Sequence, residues 1–185
     1  MTLERQPEWK TLIEVISTLN GLSIPYMLTG SLAKTFYATP RMTRDIDIVI
    51  ELNANDMDRV IGAFEKEFYV DRTLVQQAIS EPGMFNIIHN RFHVKVDFIV
   101  RKNETFRREE FSRRKAFQLQ ELSAWVVSPE DLILSKLNWA KDSMSEMQLR
   151  DVKDLLENVK NLDQAYLDKW IDKLGVRHVF DKARS

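Results

Sequence analysis

Two short stretches, Gly30-Ser31 and Asp45-Ile46-Asp47-Ile48, decide the fold that we predict for this chain. Thirteen residues, 32 to 44, lie between them. The largely apolar run 24–29 before Gly30 is typical of a buried strand, and a glycine lets the backbone turn tightly and approach a ligand closely. We expect Ser31 to open a helix whose free amides attract phosphate, and that helix to end before Pro40.

The second stretch alternates apolar and polar residues with a period of two, which predicts a strand whose isoleucines face a core. Asp45 and Asp47 then share the opposite face, with Cα atoms roughly 6.5 to 7 Å apart. Two carboxylates so placed repel each other unless a cation lies between them, and hard oxygen ligands favour Mg2+ or Mn2+, which also bind nucleotide phosphates. The alternative is a strand end with two solvated aspartates. Because a strand, a Gly-Ser turn and a helix-length spacer precede them, we favour a metal and nucleotide site.

Composition sets broad bounds on the class of protein. The 185 residues are 44% hydrophobic with a formal net charge of -1, so the chain can bury one good core or two small ones. Without cysteine it can form neither a disulfide framework nor a thiolate metal site. No apolar run approaches the roughly 18 residues that span a membrane, and residues 1–5 lack the hydrophobic region of a secretory signal. We therefore expect a cytoplasmic protein with no membrane partner.

The remaining patterns predict an α/β part followed by helices. Ser128-Pro129-Glu130-Asp131 is a strong helix start, with an N-cap serine, a proline in the first turn and two acids near the positive end of the helix dipole. We accordingly predict two domains, residues 1–127 and residues 128–185, of which the second closes over the cleft of the first. Earlier elements are predicted as helices over 7–20, after 53 and over 73–79, a hairpin with arms 84–88 and 92–100, and a strand pair within 115–127.

Basic residues interleaved with phenylalanines fill the segment from 101 to 115. Seven basic residues stand against three acidic ones, a local charge of +4. Such a segment can contact phosphates and stack bases of RNA, but phenylalanines at these spacings also anchor an ordinary helix with a solvated charged side. The segment therefore favours an RNA acceptor only slightly.

One lysine lies beside the apolar stripe of the helix that begins near Ser128. Lys136 falls in line with Leu132 and Ala140. A lysine in this position commonly extends its ammonium to water, and the alternative is a cation that reaches a bound triphosphate.

The Gly30-Ser31 and Asp45-Ile46-Asp47 pattern resembles the signature of the nucleotidyltransferase superfamily of the DNA polymerase beta type. The longer run from Pro40 to Asp47, together with Pro129-Glu130-Asp131-Leu132, Lys136 and Arg150-Asp151, is similar to stand-alone bacterial nucleotidyltransferases related to AbiEii and MenT toxins. This resemblance implies an α/β (α+β) nucleotidyltransferase fold: a short mixed sheet flanked by helices, with a C-terminal helical part.

The resemblance also implies roles for the acidic residues. Asp45 and Asp47 would bind one or two Mg2+ ions, and Asp97, on a polar face of the second hairpin arm, would match the third carboxylate. Asp97 would help to hold the metal and accept the proton of the attacking hydroxyl. A plain surface aspartate is the alternative, although strands generally disfavour aspartate.

The other implied contacts are with the nucleotide. Gly30 and Ser31 would hold the β and γ phosphates of a nucleoside triphosphate, and Lys136, with Arg41 or Arg44, would offset phosphate charge. Asp151 would orient Lys136 or another basic group.

The implied activity is transfer of a nucleoside monophosphate from the triphosphate to an acceptor hydroxyl, with tRNA as the acceptor and a cognate antitoxin protein as a partner. Two alternatives stay open. One is transfer to a small molecule, as in antibiotic-modifying enzymes of the same fold, and the other is a noncatalytic nucleotide-binding member of a toxin-antitoxin pair.

Overall fold

A seven-stranded mixed sheet runs through the part of the chain that the computed structural model describes, residues 6–184. In spatial order, using numbers that follow the chain, the strands are β3-β4-β5-β2-β1-β7-β6. Their bounds are β1 Tyr26–Thr29, β2 Asp45–Ile50, β3 Phe68–Val70, β4 Met84–His89, β5 Lys95–Val100, β6 Lys115–Leu119 and β7 Leu122–Val126.

The strand directions bring the two predicted site strands side by side. β2 lies antiparallel to β1 on one side and parallel to β5 on the other, and β1 is also parallel to β7. The β4–β5 and β6–β7 pairs are antiparallel, as expected for hairpins. The short mixed sheet predicted from the sequence is therefore confirmed.

Helices flank this sheet and fill the C-terminal part. α1 contacts β2 and β7, whereas α4 contacts β4 and β5, and α2 contacts β1, β2 and α6. A 3-10 turn, Ala54–Asp56, precedes α3. The helices are α1 Pro7–Gly21, α2 Gly30–Lys34, α3 Met57–Phe64, α4 Arg72–Ser80, α5 Thr105–Ser112, α6 Pro129–Ser143, α7 Glu146–Asn158, α8 Gln164–Leu174 and α9 Arg177–Arg184.

The period-two prediction for β2 is confirmed by its burial. Ile46, Ile48 and Ile50 are each fully buried, whereas Asp45 is exposed and Asp47 is only partly covered. The isoleucines thus fix which face of the sheet meets the core, and the aspartates necessarily take the other face.

Two predicted elements differ in length from those observed. The helix after β1 ends at Lys34, not before Pro40, because the amide of Thr35 bonds to the carbonyl of Leu32, three residues back, and the Thr35 hydroxyl donates to the same carbonyl. The second hairpin arm begins at Lys95 and not at residue 92, because His93 has a φ of 54° and its amide closes a turn onto His89.

Buried residues before and after Val127 form one continuous core in the described part of the chain. The division into domains 1–127 and 128–185 therefore stays a prediction. No helix within residues 6–184 is both long and apolar enough to cross a membrane. The inference about a secretory signal concerned residues 1–5, which lie outside the described residues.

Candidate active site

Asp47 and Asp97 lie opposite each other on the central parallel strands. In the β2–β5 register Asp47 pairs with Asp97, and two residues earlier Asp45 pairs with Lys95. Neighbouring strands are about 4.8 Å apart, so three carboxylates and one ammonium share a small area of one sheet face. Asp45 is exposed, whereas only 6% of Asp97 is exposed. The structure thus brings together the three carboxylates that the sequence indicated.

Gly30 places the turn after β1 directly against Asp47. Thr29, the last residue of β1, pairs with Asp47 in the β1–β2 register. At Gly30 the backbone turns with a φ of +68°, and a β-carbon there would overlap the Asp47 carboxylate. A glycine is therefore required both by the backbone conformation and by the close approach.

The surroundings of Asp47 oppose its negative charge. Burial, and after it the nearby charges of Asp97 and Asp45, raise the pKa of Asp47 to about 6, although Lys136 and Lys95 act in the opposite direction. A cation shared with the neighbouring carboxylates would therefore strongly favour the ionised form of Asp47.

The ammonium group of Lys95 lies between the carboxylates of Asp45 and Asp97. Its Nζ lies 2.7 Å from Oδ2 of Asp97 and 3.8 Å from Oδ1 of Asp45. The hydrogen bond to Asp97 is the largest cause of a raised pKa for Lys95. The other oxygen of Asp97, Oδ1, is buried and has no hydrogen-bond partner among the described residues.

The donor set fits a hard divalent cation, although residues 6–184 contain no preformed cluster of three or more metal-binding side chains. The Lys95 ammonium lies between Asp45 and Asp97, in the position that a metal ion shared by these carboxylates would occupy. Coordination of Mg2+ or Mn2+ would give the unpartnered Oδ1 of Asp97 a ligand and would offset the unfavourable negative charge of Asp47.

A buried ionic network on the helical side borders the Gly-Ser turn. Lys136 is 4% exposed, and its Nζ donates to Oδ2 of Asp151 at 2.7 Å and to Oε1 of Gln148 at 3.1 Å. Asp151 also pairs with Arg41 at 3.1 Å and with Lys34 at 3.3 Å. The Arg41 guanidinium donates in addition to the hydroxyl of Ser31. The sequence left open whether Lys136 extends to water, and the structure shows it buried.

Asp151 and Lys136 each favour the charged form of the other. Burial alone would raise the pKa of Asp151, but hydrogen bonds from Arg41 and Lys136 hold the pKa of Asp151 below its usual range. Burial also lowers the pKa of Lys136, which the hydrogen bond to Asp151 opposes. Asp151 is thus a fixed anion around which three cations gather.

A cavity of about 220 Å³ connects the two halves of the site. Its lining includes Gly30, Ser31, Asp47, Lys136 and Trp139. Two larger cavities, of about 750 and 450 Å³, have no site aspartate from β2 or β5 in their lining. The smaller cavity combines the Gly-Ser turn, the Asp47 carboxylate and the Lys136 ammonium in one lining, a combination that suits a phosphate ligand held with a metal ion.

Arg44 stands apart from this constellation. It is exposed, and within the described part of the chain it has no ion pair and no place in the lining of the cavity. Arg41, which the sequence analysis gave as the alternative to Arg44, makes the contacts to Ser31 and Asp151.

Three arginines of the basic segment from 101 to 115 bond to side chains elsewhere in the protein or in their own helix. Arg101 pairs with Glu51, and Arg107 bonds to Glu110 and Ser135. Arg113 pairs with the fully buried Asp131 and stacks on the ring of Tyr166. These contacts favour a structural role for the segment over contact with RNA.

Three further groups in the site were not among the residues to which the sequence analysis gave a role. Lys34, Lys95 and Gln148 all contact site carboxylates or Lys136. Only Lys95 gave a signal, since it shares a strand face with Asp97 at a spacing of two. Lys34 and Gln148 meet their partners through tertiary packing, which no local pattern reveals.

Several solved structures with a similar fold are nucleotidyltransferases or nucleotidyltransferase-like proteins. An antigenic nucleotidyltransferase-like protein from Paracoccidioides brasiliensis aligns with a TM-score of 0.56 at 18% identity, over 95% of this chain and 91% of that one. The lincosamide antibiotic adenylyltransferase LnuA, bound to lincomycin, gives 0.53 at 15% identity, over 80% and 95% of the two chains. ANT(2")-Ia in complex with adenylyl-2"-tobramycin gives 0.59 at 10% identity, over 91% and 97%.

No family model matches the chain, and no curated protein matches it significantly. Identities below 20% establish a shared fold and nothing narrower, so the similarity to AbiEii and MenT relatives remains a prediction. The mixed sheet, its flanking helices and these alignments together show that the chain has the nucleotidyltransferase fold.

Proposed function

We propose that the chain is a metal-dependent nucleotidyltransferase that moves a nucleoside monophosphate from a nucleoside triphosphate to an acceptor hydroxyl. One observation carries the proposal: the paired carboxylates of β2 and β5 lie beside a glycine turn at which any side chain would overlap the Asp47 carboxylate. The buried cation Lys136 lines the same cavity. Such a transfer needs carboxylates that bind a metal ion, a backbone turn that binds the phosphates and a cation that offsets the phosphate charge.

Each side chain has a specific task in this proposal. Gly30 and Ser31 hold the β and γ phosphates, and Lys136 and Arg41 offset their charge. The acceptor oxygen attacks the α phosphorus, the bond from that phosphorus to the bridging oxygen breaks, and pyrophosphate leaves. The proton of the acceptor hydroxyl passes to the carboxylate of Asp97, whose Oδ1 has no partner in the described structure.

Asp45, Asp47 and Asp97 would hold Mg2+ or Mn2+. The ion, when bound, supplies Lewis-acid polarisation of the reacting phosphate and activation of the acceptor hydroxyl. Lys95 must release Asp97 for this, and its side chain is 41% exposed, so the ammonium can move into water.

An RNA acceptor such as tRNA is predicted from the basic segment and the resemblance to toxins, and a cognate antitoxin from the resemblance alone. The internal pairing of Arg101, Arg107 and Arg113 weakens the first argument. A small-molecule acceptor is the second candidate, and the alignments with LnuA bound to lincomycin and ANT(2")-Ia bound to adenylyl-2"-tobramycin favour it.

The experiment compares the two acceptor classes directly. Purified protein is incubated with Mg2+ or Mn2+ and each α-labelled nucleoside triphosphate, together with total tRNA in one series and with lincomycin or tobramycin in another. The Asp45→Asn/Asp47→Asn protein serves as the control in both.

Label that reaches an acceptor with the intact protein and not with the control would support the proposal and identify the acceptor class. Transfer that survives the double substitution would contradict the role of the carboxylates. A protein that binds the triphosphate but moves the label to neither tRNA nor the antibiotics would instead fit the noncatalytic alternative.

A further inference from the structure

Trp139 is the most exposed of the described tryptophans, and it stands at the edge of the candidate phosphate cavity. Its relative exposure is 71%, against 38% for Trp125, and Trp9 and Trp170 are buried. A tryptophan buries 150 to 250 Å² when it packs, in general terms, so leaving one in water forgoes substantial hydrophobic stabilisation. A large exposed aromatic side chain in the lining of a cavity therefore indicates a ligand-binding position.

The indole of Trp139 is also free of ring partners. Within residues 6–184 no aromatic ring and no cation stacks on it, whereas the partly exposed Trp125 carries the Arg114 guanidinium 5.0 Å from its ring centroid. The backbone carbonyl of Trp139 accepts a hydrogen bond from the Ser143 hydroxyl in the last turn of α6. The ring itself makes no contribution to the fold comparable to that of Trp9 or Trp170.

The position of Trp139 on α6 links it to the phosphate groups. Lys136 and Trp139 are three residues apart, so their side chains are neighbours on one helix face, with Cβ atoms about 5 to 6 Å apart. Both line the same cavity as Gly30, Ser31 and Asp47. Asp97, the proposed base on the acceptor side, does not line it. A planar group on Trp139 therefore belongs to the molecule whose phosphates meet Lys136, and not to the acceptor.

We propose that Trp139 is the stacking platform for the nucleobase of the bound nucleoside triphosphate. The inference rests on the proposed function, because it assumes that Gly30, Ser31 and Lys136 bind the triphosphate. Aromatic stacking is tolerant of base identity, since every base has a π-face, so Trp139 contributes affinity for a nucleoside over bare polyphosphate. Purines are expected to benefit most because their ring area is larger.

The test separates the base from the phosphates. Binding of each of the four nucleoside triphosphates, and of inorganic tripolyphosphate as a probe without a base, is measured by calorimetry with Mg2+ and no acceptor. The proteins are the unmodified chain, Trp139→Ala, Trp139→Phe and the matched control Trp125→Ala. Because Trp139 is mostly exposed, its substitution should leave the thermal transition unchanged, which a melting curve checks.

We expect Trp139→Ala to weaken binding of the tightest nucleoside triphosphate roughly 10-fold or more, within the range for loss of one stacked base. Tripolyphosphate binding should stay unchanged, Trp139→Phe should retain most of the affinity, and Trp125→Ala should behave like the unmodified chain. Nucleotide should also quench the fluorescence of the unmodified protein and much less that of Trp139→Ala.

Two results would overturn the inference while the proposed function stands: nucleotide affinity unaffected by Trp139→Ala, or an equal loss for nucleotide and tripolyphosphate. If the unmodified chain bound neither ligand, the proposed function itself would fail, and this inference with it.

Discussion

Gly30 lies directly against the carboxylate of Asp47, at a backbone φ of +68°. The phosphate turn and the first metal strand are therefore one unit, because any side chain at residue 30 would displace the carboxylate opposite. This contact explains why the Gly-Ser turn and the aspartate pair occur together in the sequence although thirteen residues separate them.

Gly30→Ala should abolish transfer and destabilise the fold. The left-handed backbone conformation and the overlap with Asp47 together should cost at least about 2 kcal/mol of unfolding free energy. Urea unfolding and the transfer assay measure the two effects. Gly62→Ala is the matched control: nothing lies within 4 Å of its new β-carbon, so we expect a gain of about 0.5 to 1 kcal/mol within α3. A fully active and stable Gly30→Ala protein would contradict the close approach.

The pKa of Asp47 predicts a pH-dependent stability in the absence of metal. Its pKa is raised to about 6 in the folded chain, so the folded state binds the proton more tightly than the unfolded state. The favourable contribution is complete below about pH 4 and is lost as the pH rises through about 6. Asp47→Asn should therefore stabilise the metal-free protein at pH 7.5, by at most about 3 kcal/mol, and not at pH 4.

Urea unfolding in a chelator at several pH values checks this prediction, with the exposed Asp181→Asn as the control. The account is contradicted if Asp47→Asn destabilises the metal-free protein at pH 7.5. Added Mg2+ should reverse the order by stabilising the unmodified chain more than the variant, since metal binding needs the ionised carboxylate.

Asp151→Asn should destabilise the protein strongly, because Lys34, Arg41 and Lys136 would lose their shared anion. Removing one partner of a buried ion pair typically costs about 3 to 5 kcal/mol. The same change in Asp168, whose pair with Arg177 is exposed, should stay within about 1 kcal/mol. Chemical denaturation of both variants at pH 7 measures the difference, and equal effects would refute the central place of Asp151.

Arg113→Ala tests whether the basic segment is structural. Arg113 pairs with the fully buried Asp131 at 3.1 Å and stacks on the Tyr166 ring at 3.7 Å. Its loss should cost about 3 kcal/mol of stability, and lysine should restore little because it lacks the planar fork. The exposed Arg108→Ala should change stability by less than about 0.5 kcal/mol. If instead Arg113→Ala were as stable as the unmodified chain and lost only tRNA binding, the RNA interpretation of the segment would be correct.

Local periodicity was sufficient for the β2 half of the site. The alternation of Ile46, Ile48 and Ile50 with the aspartates fixes their faces because side chains in a strand have a period of two. The pairing of Asp47 with Asp97 could be expected only through the resemblance, since strand order depends on contacts fifty residues apart along the chain.

The helical side of the site lay beyond local patterns. Arg41 and Asp151 are separated by 110 positions, and their contact exists because the chain turns after Lys34 and α7 packs against that turn. Sequence spacing likewise gave Lys136 a position beside an apolar stripe but could not show that Asp151 and Gln148 would bury its ammonium. Long-range ion pairs of this kind are fixed by tertiary packing.

The most direct test of nucleotidyl transfer compares the α and γ positions of one nucleoside triphosphate. The unmodified chain and Asp47→Asn are each given Mg2+, whichever acceptor the labelling experiment identifies, and the triphosphate labelled at either position. We expect the α label to move to the acceptor and the γ label to leave in pyrophosphate, and neither to move with Asp47→Asn. Transfer of the γ label to the acceptor, or transfer of the α label by Asp47→Asn at the normal rate, would contradict the account.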